Sequence, residues 1–171
     1  SKYICKKLIS LGFKCKIIEV KRNKSKTIKN IYAKYGTRGK NFLFLAHKDV
    51  VENLENWSVP PFKGVVKNSM LYGRGVSDML GGLSCYISAV AKYLKNNNFK
   101  DSLSIIVTGD EETSSLGAPA VMKYLKNKKE KIDFAVTGEP SSNKMVGDEI
   151  RIGRRGSMNA KLTVIGKSGH S

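Results

Sequence analysis

The spacing of apolar residues changes several times along the chain, and each change predicts an element. Ile4, Leu8 and Leu11 recur at helical spacing and Gly12 is a natural stop, which predicts a helix over residues 2–11. Residues 13–20 read as a strand, with Cys15 and Ile17 on one face. Residues 21–29 are polar and read as a turn region, residues 30–35 as a second strand, and Gly36-Thr37-Arg38-Gly39 as a turn. Residues 41–46 contain the unbroken run Phe42-Leu43-Phe44-Leu45, the pattern of a strand covered on both faces. Val65-Val66 and Met70-Leu71-Tyr72 predict a short hairpin. Leu83, Ile87, Val90, Ala91 and Leu94 share one face of a helix over residues 81–94. Residues 103–108 predict another buried strand, 117–126 a helix and 132–137 a third buried strand.

Strands alternating with helices predict an α/β fold, with a mostly parallel central sheet flanked by helices. After Ser141 the pattern changes. Residues 148–153 and 158–165, the latter with Met158, Ala160, Leu162 and Val164 alternating, read as antiparallel strands. We place the boundary at 1–154 for the first domain and 155–171 for the start of a second. The chain opens on Ser1 and closes on Gly169-His170-Ser171, so a fragment is expected.

Composition narrows the function. With 171 residues the chain can bury one sizeable core. No apolar run approaches the ~20 residues of a membrane span. The formal net charge is +17, from 31 basic and 14 acidic residues, which raises nucleic acid as a partner. The basic runs carry no interleaved aromatics, however, and a solvated lysine-rich surface is the simpler account; an anionic small molecule would also be attracted. Cys5, Cys15 and Cys85 show no paired spacing. They fit free thiols in a reducing compartment, the cytoplasm, and exclude a thiolate zinc ribbon.

The candidate chemistry lies at the strand ends. His47-Lys48-Asp49 follows one apolar run, Gly109-Asp110-Glu111-Glu112 another and Gly138-Glu139-Pro140 a third, while Asp78 sits in the glycine-rich stretch that opens the helix at 81. Three consecutive carboxylates repel one another, and burial without a positive partner would be costly. In a largely parallel sheet, sites form beyond the carboxyl ends of the strands, so these groups are expected to converge. Imidazole and carboxylates without thiolates suit zinc, cobalt or manganese. A carboxylate such as Asp78 can bridge two ions about 3.5–4 Å apart. Adjacent Glu111 and Glu112 invite a division of labour, one binding metal and the other serving as general base. Asp49 is placed to orient the His47 ring.

Taken with Trp57-Ser58-Val59-Pro60-Pro61-Phe62, Tyr72-Gly73-Arg74-Gly75-Val76-Ser77-Asp78-Met79, Ile152-Gly153-Arg154-Arg155-Gly156-Ser157 and Gly166-Lys167-Ser168-Gly169-His170, these motifs resemble the co-catalytic dizinc deacylases and exopeptidases. That family includes aminoacylase, acetylornithine deacetylase and glutamate carboxypeptidase. Residues 152–157 resemble most the branch that removes succinyl groups from diaminopimelate. The resemblance implies a zinc-exopeptidase-like catalytic domain and the start of an α+β dimerisation domain. It implies two Zn2+ ions, with Co2+ or Mn2+ as substitutes. His47 and Glu139 would bind one ion, Glu112 the other, and Asp78 would bridge. Glu111 would be the general base, and Asp49 would support His47. Arg154, Arg155 and His170 would contact substrate. The substrate would be an anionic N-acyl amino acid, the full-length enzyme a homodimer, and the fragment inactive alone. Membrane and nucleic acid are not expected partners.

Three departures from the family pattern stand out. Lys48 replaces the usual Thr and Leu80 a common Lys. The chain also has only His47 and His170, so the second ion lacks the histidine that the family supplies from near its C-terminus.

Overall fold

A computed structural model describes residues 1–52, 56–153, 156, 158, 160–167 and 169. It forms two compact units, Ser1–Pro140 and Ser141–Ser171.

The first unit begins with helix α1 (Lys2–Ser10). The chain turns at Gly12, whose φ of +89° favours glycine, and enters strands β1 (Lys14–Lys21) and β2 (Thr27–Tyr35). Five residues join them. The Asn23 side chain accepts N–H bonds from Ser25 and Lys26 and so closes the turn. So short a link allows only antiparallel pairing. β3 (Asn41–His47) follows. The hairpin of β4 (Val65–Lys67) and β5 (Met70–Tyr72) forms a separate two-stranded sheet. Its turn residues Asn68 and Ser69 have φ of 51° and 60°, the positive values that a tight hairpin needs. An irregular turn, Val76–Leu80, leads into α2 (Gly81–Asn96). β6 (Ser102–Thr108), α3 (Gly117–Asn127) and β7 (Phe134–Thr137) complete the unit.

The main sheet has the order β1-β2-β6-β3-β7. β3 pairs parallel with both β6 and β7, because α2 and α3 form the long crossovers that bring the chain back to the same edge. β2 runs against β6, and β1 against β2. The sheet is therefore mixed. Its antiparallel part is the short-linked hairpin, and its parallel part is the half that carries the candidate residues.

Side-chain alternation sorts the core into two layers. Ile31, Ala33, Phe44, Ala46, Leu103, Ile105 and Val107 face α1 and α2, meeting Leu8, Leu83, Ile87 and Val90. Tyr32, Leu43 and Ile106 face α3, meeting Val121 and Leu125. β6 lies between two neighbours and is buried throughout.

Two expectations need correction. β7 is not a buried strand. It lies at the sheet edge, and Phe134 and Val136 are 53% and 44% exposed. An apolar run gives the faces that a strand would bury, not what covers them. Nor do residues 148–153 and 158–165 form strands among the described residues. Alternation selects faces but supplies no partner, and an isolated hairpin is at best marginal. The second unit is instead organised around Asp148, whose carboxylate accepts backbone N–H bonds from Asn143, Lys144 and Met145. No helix among the described residues is long and apolar enough to cross a membrane.

Ile105 is fully buried at the centre of the larger layer. Ile105→Ala is expected to cost roughly 2–5 kcal/mol, read as a lower urea midpoint at unchanged m-value. Phe134→Ser, on the exposed edge, should change stability by less than about 0.5 kcal/mol.

Candidate metal centre

The ladder sets the site. His47 ends β3 opposite Thr108, and Leu45 pairs with Thr137. Two residues beyond Thr137, Glu139 comes level with His47. Asp78 arrives from a third direction, in the turn before α2. Two glycines allow that approach. A Cβ on Gly82 would lie 2.4 Å from the Gly138 carbonyl oxygen, and one on Gly138 would lie 2.4 Å from the Phe44 ring. The start of α2 therefore rests directly on the end of β7, beside Phe44.

His47 Nε2 lies 3.0 Å from Asp78 Oδ1 and 3.4 Å from Glu139 Oε1. Its other nitrogen, Nδ1, lies 3.0 Å from the Asp49 carbonyl oxygen. A carbonyl only accepts, so Nδ1 carries the proton. In the neutral ring, Nε2 then turns a lone pair toward two carboxylates. That arrangement is repulsive unless a proton or a cation lies between them. Burial alone would depress the imidazole pKa. The Asp49 carbonyl and the charges of Glu139, Asp78 and Glu111 outweigh it and leave the value raised. Glu139 is raised by burial and by Asp78, and Glu112 likewise by burial and then by Asp78. The site has gathered negative charge, and its affinity for protons is raised to match. A dication would replace them.

His47, Asp78 and Glu139 offer ligand atoms all within 4.8 Å of one another. The His47 side chain is 2% exposed, Glu139 20% and Asp78 52%, so the cluster opens on the Asp78 side. The donor set of one imidazole and two carboxylates fits a hydrolytic zinc-type ion. Asp49 Oδ1 is buried without a hydrogen-bond partner among the described residues, a further sign of a centre that expects positive charge.

Of the other sequence candidates, Glu112 shares a cleft of about 270 Å³ with Asp78 but lies outside the compact triad. Its backbone N–H donates to Asp49 Oδ2 at 3.1 Å. Asp49 thus ties the loop after β6 to the loop after β3. It holds the imidazole through its carbonyl, since its carboxylate is 3.8 Å from Nδ1. Glu111 is exposed, and its charge acts on His47, Glu112 and Glu139 together. Arg154, Arg155 and His170 lie outside the described residues.

The expectation that Asp110, Glu111 and Glu112 all demand one cation is corrected. Asp110 has φ of 69° and is turned back to Arg22, which lies 2.9 Å away, and to the Thr113 hydroxyl. The Thr113 bond heads the causes that hold its carboxyl below the usual range. Lys48 places its ammonium beside Gly109, where burial lowers its pKa despite the Asp49 carboxylate.

Two contributors escaped the sequence reading. Asn30, fully buried in β2, accepts the Gly109 N–H and donates to the Ile18 carbonyl, fixing the point where β6 gives way to the acidic loop. An Asn between polar residues and an apolar run carries no signal of this. Arg74 lies over the Trp57 ring, 5.0 Å from its centroid, in the cleft with Asp78 and Glu112. Its place in a glycine-flanked stretch next to Asp78 was the available signal.

Comparisons with known proteins bear on the family and the fold. The model of "Peptidase family M20/M25/M40" matches residues 43–168. A succinyl-diaminopimelate desuccinylase of Pelagibacter ubique is 46% identical over 99% of this chain and 45% of its own length. The chain therefore spans less than half of that relative. Among solved structures, the dipeptidase Dug1p of Saccharomyces cerevisiae superposes with TM-score 0.69 at 26% identity, over 80% of this chain and 32% of that one. The M20 family metallo-carboxypeptidase Sso-CP2 of Sulfolobus solfataricus gives 0.67 at 25% identity, over 80% and 31%.

Two outcomes are expected. The raised values of His47, Glu112 and Glu139 mean that the metal-free fold binds protons more tightly than the unfolded chain. Their stabilising contribution is present at acid pH and is lost as pH rises through the folded values, which lie above the usual carboxylate range for Glu112 and Glu139 and above the usual imidazole value for His47. Zinc affinity should climb across the same window, as its ligands lose their protons. Thermal melts with chelator and with zinc, from about pH 4 to 8, should diverge progressively. Separately, Gly82→Ala should push α2 from Gly138 and weaken zinc binding by about tenfold or more, equivalent to about 1.4 kcal/mol, by isothermal titration.

Proposed function

The chain belongs to peptidase family M20/M25/M40, and on that premise we propose that it supplies the greater part of the metal-binding domain of a deacylase. The whole enzyme would hydrolyse N-succinyl-LL-2,6-diaminopimelate to succinate and LL-2,6-diaminopimelate, in lysine and cell-wall precursor synthesis. The observation that carries the reading is the His47 nitrogen facing two carboxylates, Glu139 beyond a parallel strand and Asp78 in the turn before α2. The relatives' name supports the substrate. The family and the donor cluster support a metal cofactor, and zinc fits the donors.

His47 and Glu139 would hold one ion, Asp78 would bridge to a second, and Glu112 would contribute to that second position. A divalent ion supplies Lewis acidity toward an amide carbonyl and acidifies water. Glu111, exposed on the rim, would accept the proton of the attacking water and return it to the departing amine. Asp49 would keep the imidazole in its Nδ1–H form and hold the Glu112 backbone in place. Burial of His47 limits competing water behind the ring. Arg154, Arg155 and His170 remain proposed contacts to substrate, and residues 155–171 the start of a dimerisation domain that would make the enzyme a homodimer. A cytoplasmic, biosynthetic setting follows from the substrate. The same machinery would serve acetylornithine or general N-acyl amino acids.

The test uses the full-length protein. It should release succinate from N-succinyl-LL-diaminopimelate in preference to acetate from N-acetylornithine. Glu111→Gln should lower kcat by roughly 10²–10⁴-fold with zinc content intact. Asp78→Ala and Glu112→Ala should lose zinc together with activity. Full zinc loading with no turnover of the succinylated substrate would overturn the substrate assignment.

A further inference from the structure

Arg74 is a cation that the roles above leave unused. Its backbone N–H is tied to the Pro61 carbonyl at 2.7 Å, and its guanidinium lies over Trp57. The stack fixes the planar head from one side. Its Nε is buried and has no hydrogen-bond partner among the described residues. No carboxylate among the described residues lies within ion-pairing distance of it. A buried guanidinium N–H without an acceptor costs free energy, and the charge of the head is left unbalanced by any described carboxylate.

The cleft indicates which anion. Arg74 shares it with Asp78 and Glu112, the acids assigned to metal, and with Val51 and Trp57. At about 270 Å³ it is below the ~300–1,000 Å³ typical of a site enclosing a whole ligand. It is of a size for one short arm. Val51 and Trp57 give apolar surface for methylenes, and Arg74 gives a fork for a carboxylate. Resting on the function proposed above, we propose that Arg74 is a specificity-determining residue that binds the terminal carboxylate of a dicarboxylic acyl arm, such as succinyl, while the amide lies at the metal rim. A cation is needed there because such an arm enters a cleft already walled by two acids.

The experiment compares wild-type, Arg74→Lys and Arg74→Met full-length protein, each checked for zinc content and melting temperature. Two substrates differ only in the acyl group: N-succinyl- and N-acetyl-diaminopimelate. Arg74→Met should raise KM for the succinylated substrate roughly ten- to a hundredfold, the loss of one charge-assisted hydrogen-bond pair. It should leave KM for the acetylated substrate within about twofold, since RT ln 2 is small beside such a bond. Arg74→Lys should fall between. Equal effects on both substrates, or none, would overturn the assignment. Should the wild-type enzyme turn over neither substrate, the function proposed above fails independently. The inference is then judged by titrating succinate into the zinc-loaded proteins, where weaker binding to Arg74→Met upholds it and equal binding overturns it.

Discussion

One imidazole nitrogen that faces two carboxylates is the constraint around which the first unit is built. The Asp49 carbonyl takes the Nδ1 proton, so His47 Nε2 can meet Asp78 and Glu139 only as a cation or across one. Burial of the ring works against the charged form, and the neighbouring carboxylates work for it. The acids win because three of them act on one ring. That excess of negative charge is what a metal of the family would neutralise. Without it, Glu112 and Glu139 are held above their usual range.

Keeping like charges together requires a scaffold that cannot relax. The ends of β3 and β7 are held in register by the sheet. The start of α2 is pressed onto Gly138 through the absent side chain of Gly82. The acidic loop is anchored twice: Asn30 takes the Gly109 N–H, and Asp49 takes the Glu112 N–H. Asp110, which would add a further charge to the centre, is removed from it by a left-handed turn and paired with Arg22. Repulsion is therefore concentrated on the residues that can share an ion and relieved at the one that cannot.

Much of this was legible in the residues, for reasons that differ by element. The unbroken run Phe42–Leu45 read as a covered strand, and β3 does sit between β6 and β7. His47 and Glu139 could be expected to converge because parallel strands end at one edge, and that topology follows from the alternation of strands and helices; Asp78 joins them from the glycine-rich turn before α2. Two things were not legible. Consecutive carboxylates at Asp110, Glu111 and Glu112 read alike, because the direction of a side chain in a loop depends on a φ that the letters do not encode. The bond from Asn30 to Gly109 joins residues 79 apart, and a polar residue at the start of a strand does not reveal a partner that distant. The alternation over 158–165 was legible as a face, but a face without a partner makes no ladder.

The basic composition also finds a place in the proposed function. A net charge of +17 is spread over a surface whose acids, at this one rim, are crowded together. An anionic acyl amino acid approaching from solvent experiences the long-range field of the lysines, which favours encounter. Within a few ångströms it meets the acids of the centre instead. On the proposed function, that local repulsion would be cancelled locally, by ions held at His47, Asp78, Glu112 and Glu139 and by a fixed cation across the cleft. Arg74 is fixed by its stack on Trp57 and is not consumed by any described carboxylate. Lys48 places its ammonium beside Gly109 and is not among the residues lining that cleft. Attraction at long range and selectivity at short range would then fall to different cations. On the proposed reading, the surface lysines would serve the first, and Arg74, held over Trp57 beside the metal rim, would serve the second.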